Sequence, residues 1–325
     1  MGVKEQIEFY QSRNFHWGAS PVHGLSDKEV WIQRKNNPKI KLFNAIQIQT
    51  IEFCNLKCDF CPNHYIVWDR QEKKKKKIPY NRMSFENYEK LLINLANLGY
   101  EGRISPYLMN EPFMDNDRLV RFIEMTRQHL PKAYIQMNSN GTNTTKEFVG
   151  DLIDAGLNRI QFDDYFNDKY AMKLYEAIEP FKDNKTCHII LASNYNVRQI
   201  PKKESGDGNA TMEPHWGPNG YWNRGGLVNV NPDIPVPQKD CHYPNSQMFI
   251  KWDGSALLCC CDWEYKVVHG NVFETSVEEV WTNGSYQHYR DTLKQGRRDL
   301  LRMCRKCNKG CYPNEEERLK QLKNV

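Results

Sequence analysis

The sequence predicts an α/β fold of parallel strands followed by a smaller, cysteine-rich C-terminal region. Two observations lead to this prediction. Between positions 45 and 193, β-like runs alternate with amphipathic helical runs, which favours parallel strands joined by right-handed crossovers. After a Pro- and Gly-rich stretch at 201–240, seven of the eleven cysteines follow. We therefore expect an N-terminal arm at 1–44, a core at 45–232 and an auxiliary domain at 233–325.

Residue type and spacing place the elements of the repeating region. Strands are expected where apolar and β-branched residues cluster, and helices where apolar residues recur every three or four positions. Ser84 begins the first helix with a capping-box-like pattern, and Gly156 ends a later one. The predicted strands are Ala45–Glu52, Gly102–Met109, Ala133–Asn138, Asn158–Asp163 and Thr186–Ser193. The predicted helices are Ser84–Leu98, Asp115–His129, Thr144–Ala155 and Asn167–Phe181.

The flanking regions are less regular. The arm is polar and shows only a short helical pattern near Asp27–Arg34. A sixth strand is predicted near Gly226–Val230, a hairpin around Asp253-Gly254, and a helix near Val277–Gln295.

Charge and hydropathy exclude several classes of protein. The chain carries 45 basic and 40 acidic residues, a net charge of +5, which gives no reason to expect a nucleic-acid partner. No run approaches the ~18 consecutive apolar residues of a spanning helix, so no membrane partner is expected. The polar N-terminus does not resemble a signal peptide, and the cysteines are too dilute for a disulfide scaffold, which predicts a reducing, cytoplasmic location. Clustered cysteines in such a compartment are typically metal ligands or reactive thiols.

The first cysteine cluster follows the first predicted strand. Cys54, Cys58 and Cys61 form a C-x3-C-x2-C motif. Loops after the strands carry the chemistry of parallel β/α folds, and three thiolates on a four-iron cluster leave one iron open to a small molecule. The alternative is a closed zinc site with His64 as the fourth ligand.

This loop resembles the cluster loop of the radical S-adenosylmethionine (radical SAM) superfamily, including the aromatic Phe60 before the third cysteine. The resemblance continues at successive strand ends. Asn110-Glu111-Pro112 is similar to the family's Gly-Gly-Glu-Pro element, with Asn110 in place of a glycine. The remaining elements, in chain order, are the turn Asn138-Ser139-Asn140-Gly141, the strand end Gln161-Phe162-Asp163 that lacks the family's Ser, and Asn194 after the fifth strand.

The resemblance implies an open, partial (β/α)6 TIM-like barrel and a defined chemistry. Cys54, Cys58 and Cys61 would hold a [4Fe-4S] cluster whose open iron is chelated by SAM. Reduction by an external flavodoxin or ferredoxin-like donor would cleave SAM to a 5'-deoxyadenosyl radical that abstracts a substrate hydrogen. The implied SAM-binding residues are Phe60, Glu111, which takes the methionine amino group, Asn138, Asp163 and Asn194. A further candidate is Arg224, whose fork could bind the SAM carboxylate or an acidic substrate, or could simply be solvated in a turn.

The second cysteine cluster is spread along the C-terminal region. Cys241-x17-Cys259 is followed by Cys304-x2-Cys307-x3-Cys311, and four such thiolates can close a cluster or a zinc site. The first piece resembles the opening of SPASM, the auxiliary-cluster module appended to many radical SAM enzymes. The later cysteines are fewer than in a full module. The resemblance therefore implies the single-cluster form of enzymes similar to 2-deoxy-scyllo-inosamine dehydrogenase, with Cys241, Cys259, Cys304 and Cys307 on a second [4Fe-4S] cluster.

Four cysteines are left over. Adjacent side chains in an extended run point in opposite directions, so Cys261 could replace Cys259, whereas Cys260 would face away. Cys311 could complete an alternative ligand set. Some epimerases of the family quench the substrate radical with a cysteine hydrogen, which makes these spare thiols relevant. Cys187 begins the fifth strand and is expected to be a buried core thiol.

A closed second cluster could accept the electron released when a substrate radical is oxidised. The resemblance therefore implies oxidation of a small-molecule substrate, a polyol, sugar or glycoside, at a carbinol carbon. Three alternatives stay open: an epimerase, a peptide-modifying maturase, which the short arm disfavours, and a zinc-binding protein without catalytic activity. Tyr107, near a strand end, could touch substrate, although ordinary packing or solvation is the favoured expectation.

Overall fold

The structure is a computed structural model of the 325-residue chain. It describes residues 14–17, 42–58, 61–63, 81–164, 168–193, 223–228, 236, 241 and 243–308. The predicted helix near Asp27–Arg34 lies outside these ranges, as do Phe60, His64, Asn194 and Cys311.

Within the described ranges the chain alternates strands and helices as the spacing predicts. The strands are β1 Asn14–Trp17, β2 Ala45–Ile48, β3 Arg103–Ser105, β4 Tyr134–Ser139, β5 Arg159–Asp164, β6 His188–Ser193, β7 Gln247–Ile250, β8 Ser255–Leu257 and β9 Val268–Asn271. The helices are α1 Phe85–Asn97, α2 Asn116–His129, α3 Lys146–Asp154, α4 Asp168–Ile178, α5 Tyr243–Ser246, α6 Val277–Thr282 and α7 Gly284–Lys294. Short 3-10 turns occupy Pro112–Asp115, Glu179–Phe181, Arg224–Gly226 and Arg298–Leu300.

The described strands form one sheet in the order β1-β6-β5-β4-β3-β2-β7-β8-β9. The run from β6 to β7 is parallel throughout, which confirms the partial (β/α)6 architecture. Strand β8 pairs antiparallel with β7, and these two strands form the predicted hairpin. Strand β9 pairs antiparallel with β8 and extends the sheet further. The carboxyl ends of the parallel strands consequently lie along one edge, where ligands bind in such folds.

The sixth strand predicted near Gly226–Val230 does not form at positions 226–228, the part of it that the structure describes. The segment turns instead, because Arg224, Gly225 and Gly226 have φ values of 49°, 76° and 85°, which an extended strand does not allow. The sixth parallel strand is β7, which pairs with β2 through Gln247 opposite Ala45.

Two smaller corrections concern the arm and the last helix. The arm contributes β1, which pairs antiparallel with β6 and covers a sheet edge that would otherwise expose unpaired backbone groups. The single helix predicted over Val277–Gln295 is two helices. Asn283 between them is extended, and its side chain accepts a hydrogen bond from Tyr286 N, so it begins α7 as an N-cap.

One apolar core joins the two cysteine-bearing regions. Phe43 and Ile46 near the first loop share this core with Met248, Val277 and Trp281 of the C-terminal region. Because β7 also continues the sheet from β2, the loops that follow these two strands are held at adjacent positions. None of the helices in the described ranges has the length and apolar character needed to cross a membrane.

Candidate active site

The carboxyl ends of β2, β3, β4 and β5 surround a cavity of about 280 Å³. Most of the site residues predicted from the sequence line it. These are Cys54, Cys58, Cys61, Glu111, Asn138, Asp163 and Arg224. Other lining residues were not predicted as SAM contacts, and they include Gln47, Asn63, Tyr107, Asn110, Ser139, Asn140, Cys260 and Trp263.

The three thiols of the first cysteine motif face this cavity together. Cys61 N donates to Cys58 O at 3.0 Å, which holds the second and third cysteines close together. Burial raises the pKa of the Cys54 thiol, and the nearby Glu111 carboxylate and the other two thiols raise it further. Three neighbouring thiolates would repel one another unless a cation bound them, so this donor set fits a cationic iron–sulfur cluster.

Buried polar atoms in the cavity wall also indicate a ligand. Both side-chain atoms of Asn63 and the Nδ2 of Asn110 have no hydrogen-bond partner among the described residues. Unsatisfied buried amides are uncommon in folded proteins, because each costs the free energy of desolvation. A polar small molecule such as SAM, chelated beside the three thiols, would supply partners for them.

Glu111 is held in one orientation by its neighbours. Its Oε1 accepts hydrogen bonds from Phe113 N at 3.0 Å and Ser139 Oγ at 2.7 Å, and its Oε2 accepts one from Asn140 N at 2.8 Å. Burial raises the pKa of Glu111 to about 7, and these hydrogen bonds limit the rise. Because Asn140 Nδ2 also approaches Cys54 Sγ at 3.9 Å, the glutamate and the cluster loop share one support.

A hydrogen-bonded chain of polar side chains runs along the wall of the cavity. Tyr107 OH donates to Asn138 Oδ1 at 3.1 Å, Asn138 Nδ2 donates to Asp163 Oδ2 at 3.2 Å, and Gln161 Nε2 donates to Asp163 Oδ1 at 2.7 Å. Burial raises the pKa of Tyr107 to about 12, so its hydroxyl is a neutral donor. The sequence favoured packing or solvation for Tyr107 over a contact with substrate. The sequence signal for a polar interior was the alternation on β5. Every second residue of that strand is polar, and alternate residues of a strand share one face.

Arg224 reaches the cavity from a strained turn. Its φ of 49° is uncommon for a residue with a side chain, and such conformations concentrate at functional sites. Burial raises the pKa of the Cys61 thiol, and the Arg224 charge opposes that rise, so the guanidinium lies near the first cluster loop. Neighbouring Asn223 donates to Lys306 O at 2.6 Å, which ties this turn to the C-x2-C loop.

The structure also brings together Cys241, Cys259, Cys304 and Cys307. Burial raises the pKa of Cys241 to about 12, and the neighbouring thiols of Cys259 and Cys307 contribute. The same two thiols, together with Cys241, add to the burial that raises the pKa of Cys304. A thiol set gathered from three separate chain segments fits the closed site of an auxiliary cluster.

The spare cysteines fall on different sides of this second site. Cys260 lines the cavity, in agreement with the alternation argument, whereas Cys261 is buried and its backbone N lies 3.4 Å from Cys259 Sγ. Cys187 is buried in the core, as predicted. Within the described residues, no group of three or more His, Cys, Asp and Glu side chains is arranged to hold a single metal ion.

A parallel β/α sheet with a three-cysteine loop, a fixed glutamate and a polar cavity at its strand ends defines the radical SAM class. Residues 48–179 match the model of the radical SAM superfamily, and residues 241–308 match SPASM, an iron-sulfur cluster-binding domain. The chain is a radical SAM enzyme of the oxidoreductase type with a C-terminal SPASM domain. The first domain implies a [4Fe-4S] cluster and SAM, and the second implies additional iron–sulfur clusters.

A curated relative covers most of the chain. It is the S-adenosyl-L-methionine-dependent 2-deoxy-scyllo-inosamine dehydrogenase of Niallia circulans, which is 24% identical over 85% of this chain and 97% of its own length. Among solved structures, BtrN in complex with AdoMet and 2-DOIA matches with a TM-score of 0.62 and 23% identity over 83% of this chain and 95% of that chain. AnSMEcpe with bound AdoMet matches with a TM-score of 0.50 and 13% identity over 81% and 84% of the two chains. These structures share the fold.

Proposed function

We propose that this enzyme oxidises a carbinol carbon of a small polyol, sugar or glycoside to a ketone. The observation that carries the proposal is the position of Cys260. It lines the same cavity as Cys54, Cys58 and Cys61, while its neighbour Cys259 belongs to the second thiol set and Cys261 lies against Cys259. A substrate in this cavity would therefore lie between the site where its hydrogen is removed and a site that can accept its electron.

The chain's residues would hold the cofactors as follows. Cys54, Cys58 and Cys61 ligate the first cluster, and the fixed Glu111 carboxylate binds the methionine amino group of SAM. Arg224 binds the SAM carboxylate with its fork. Bound together, SAM and the reduced cluster supply a 5'-deoxyadenosyl radical that abstracts a hydrogen atom. Asn138 and Asp163 are assigned to the ribose of SAM. Phe60 and Asn194, which lie outside the described residues, are also assigned to SAM binding.

The substrate then loses one electron and its hydroxyl proton to become the ketone. A cluster held by Cys241, Cys259, Cys304 and Cys307 would accept the electron, and the proton would pass to solvent. The polar wall of the cavity supports a hydroxyl-rich substrate, because Tyr107 presents its hydroxyl group there. The curated relative is named as a dehydrogenase of an aminocyclitol, 2-deoxy-scyllo-inosamine.

The two domains and an external reductant have separate roles in the proposed reaction. The core at 45–232 supplies the SAM site, the domain at 233–325 supplies the electron-accepting site, and 1–44 forms an arm. The enzyme needs a reductant, which we propose to be a flavodoxin or ferredoxin-like protein. The clustered spacing of the cysteines along the sequence supports a reducing, cytoplasmic location.

The test is anaerobic reconstitution of the full chain with iron and sulfide, followed by reduction in the presence of SAM and candidate substrates. We expect brown protein with two clusters, and 5'-deoxyadenosine formed together with one equivalent of ketone from 2-deoxy-scyllo-inosamine, an inositol or a hexose glycoside. Colourless protein with stoichiometric zinc would contradict the proposed iron–sulfur clusters and therefore the whole reaction. Two clusters and SAM cleavage without oxidised product from any of these would contradict the substrate class.

A second candidate function is epimerisation, and the half-buried Cys260 thiol in the cavity wall favours it. A thiol there could return a hydrogen atom to the substrate radical from the opposite face, which would need an electron and a proton to restore the thiol. In deuterated water an epimerase would give an isomer labelled at carbon. Cys260→Ala would abolish that product, whereas a dehydrogenase would still form its ketone.

A further inference from the structure

Arg298 is the largest of the fully buried side chains in the described residues, with 1% of its surface exposed. A guanidinium keeps its positive charge in proteins, and burying a charge without compensation costs several kcal/mol. The surroundings of this arginine must therefore supply hydrogen bonds and negative charge.

The backbone brings Arg298 beneath the loop that carries two of the thiols. Helix α7 ends at Lys294, and Gly296 with φ 74° reverses the chain direction. Arg298 then begins a 3-10 turn, and its Nη1 donates to the carbonyl oxygen of Cys307 at 3.1 Å. The following turn is closed by Cys304 N donating to Leu301 O at 2.9 Å.

The charge of Arg298 also acts on two thiols. Burial raises the pKa of both Cys241 and Cys304, and neighbouring thiols raise both further. The positive charge of Arg298 opposes the rise in pKa at both thiols. One buried cation thus lies close to thiols from chain segments more than sixty residues apart in the sequence.

We propose that Arg298 is a positioning residue that raises the reduction potential of the auxiliary cluster. This inference rests on the proposed function, because it requires the four thiols to ligate a [4Fe-4S] cluster. Reduction adds an electron to a cluster that four thiolates already make anionic. A buried positive charge stabilises the reduced state more than the oxidised one, and a cluster's net charge and hydrogen bonds set its potential. The arginine would thereby make the cluster a better acceptor for the substrate's electron.

The experiment compares Arg298→Gln and Arg298→Lys with the wild-type holoenzyme in redox titrations followed by EPR, without substrate. The signal that SAM does not perturb reports the auxiliary cluster. We expect Arg298→Gln to lower the ratio of reduced to oxidised cluster at fixed potential about tenfold, which is about 59 mV for a one-electron couple. Arg298→Lys should keep the ratio within about threefold of wild type, since it retains the charge.

Arg297→Gln is the matched control. This neighbouring arginine is exposed and pairs with Asp299 at 2.8 Å, so its loss should leave the potential unchanged. An unchanged potential in Arg298→Gln would overturn the inference. So would a lysine variant that shifts the potential or loses the auxiliary cluster as fully as the glutamine variant, because the arginine would then support the fold rather than the charge balance. Absence of a second cluster from the wild-type enzyme would contradict the proposed ligand set itself.

Discussion

The two thiol sites of this protein are built in opposite ways. The first takes three cysteines from one short loop and faces a cavity lined by amides and a carboxylate. The second takes four cysteines from three distant segments, and two of them, Cys241 and Cys304, pack with the apolar residues Leu258, Leu293 and Leu301. The difference indicates an open site that leaves room for a small molecule, and a closed site that only exchanges electrons.

The strongest test of this comparison is removal of the first site. Replacing Cys54, Cys58 and Cys61 together with Ala should abolish 5'-deoxyadenosine formation and reduce bound iron from about eight to about four atoms per chain. Iron and sulfide analysis with a SAM-cleavage assay measures both effects. Loss of all iron would show that the ligands are not divided between two sites in this way.

The open site should also depend on the fixed glutamate. Glu111→Gln removes the charge that would bind the SAM ammonium and leaves Asn140 N or Ser139 Oγ poorly paired. We expect SAM affinity to fall roughly 30-fold, or about 2 kcal/mol, measured by equilibrium dialysis on the reconstituted enzyme. Glu147→Gln, an exposed carboxylate in the first turn of α3, is the control. Equal affinity of the Glu111 variant and wild type would remove Glu111 from the SAM site.

A hydrogen-bonded bridge joins the two sites and sharpens the comparison further. Tyr265 OH, beyond the second thiol set, donates to Glu52 Oε1 at 2.7 Å just before the first loop, and Asn81 donates to the other oxygen at 2.6 Å. Tyr265→Phe should lower the free energy of unfolding by about 1.5 kcal/mol in urea titrations. Tyr289→Phe is the control, since its hydroxyl makes no hydrogen bond within the described residues. Equal losses in the two variants would show that the bridge contributes nothing specific.

The smallest expected effect is on the acid stability of the C-terminal region, through His269 in β9. Burial, with the charge of Arg290, lowers the pKa of His269 from 6.5 to about 4. Between these values the unfolded chain binds the proton and the folded chain does not, so stability is present at pH 7 and is lost as the pH falls below about 6.5. From pH 7 to 5.5 this one residue should cost about 1 kcal/mol, measured from urea midpoints.

His269→Gln should lose this share of the pH dependence, and His288→Gln, at an exposed position on α7, should retain it. Identical pH profiles for the His269 variant and wild type would show that the buried imidazole is not the titrating group.

Much of the fold and of the candidate site follows from short stretches of sequence. Ser84 caps α1 through Asn87 N as its spacing predicts, and the parallel strands β2 to β6 lie where the alternating pattern places them. The C-x3-C-x2-C loop also reaches the cavity together with Glu111 and Asp163. These features depend on contacts between near neighbours, or on the rule that parallel strand ends meet at one edge.

Other features could not be read from the pattern. Strand β7 has the same local character as a hairpin strand, and only its register against β2, about two hundred residues away, makes it the sixth parallel strand. The arm's strand β1 forms because the edge of β6 is available to pair. In the sequence, Arg298 is one of several charged residues in a basic stretch. Its burial depends on the packing of α7 against the C-x2-C loop, which the pattern does not show.

The sequence by itself therefore determined the class of chemistry, since three cysteines in one loop and a glutamate at the next strand end are local patterns. Only the tertiary structure decided which side chains surround that chemistry: the Tyr107–Asn138–Asp163 chain, Cys260 in the cavity wall and the buried charge of Arg298. The physical reason is that burial and Coulomb interactions depend on distance in space, and distant parts of a chain approach each other only when it folds.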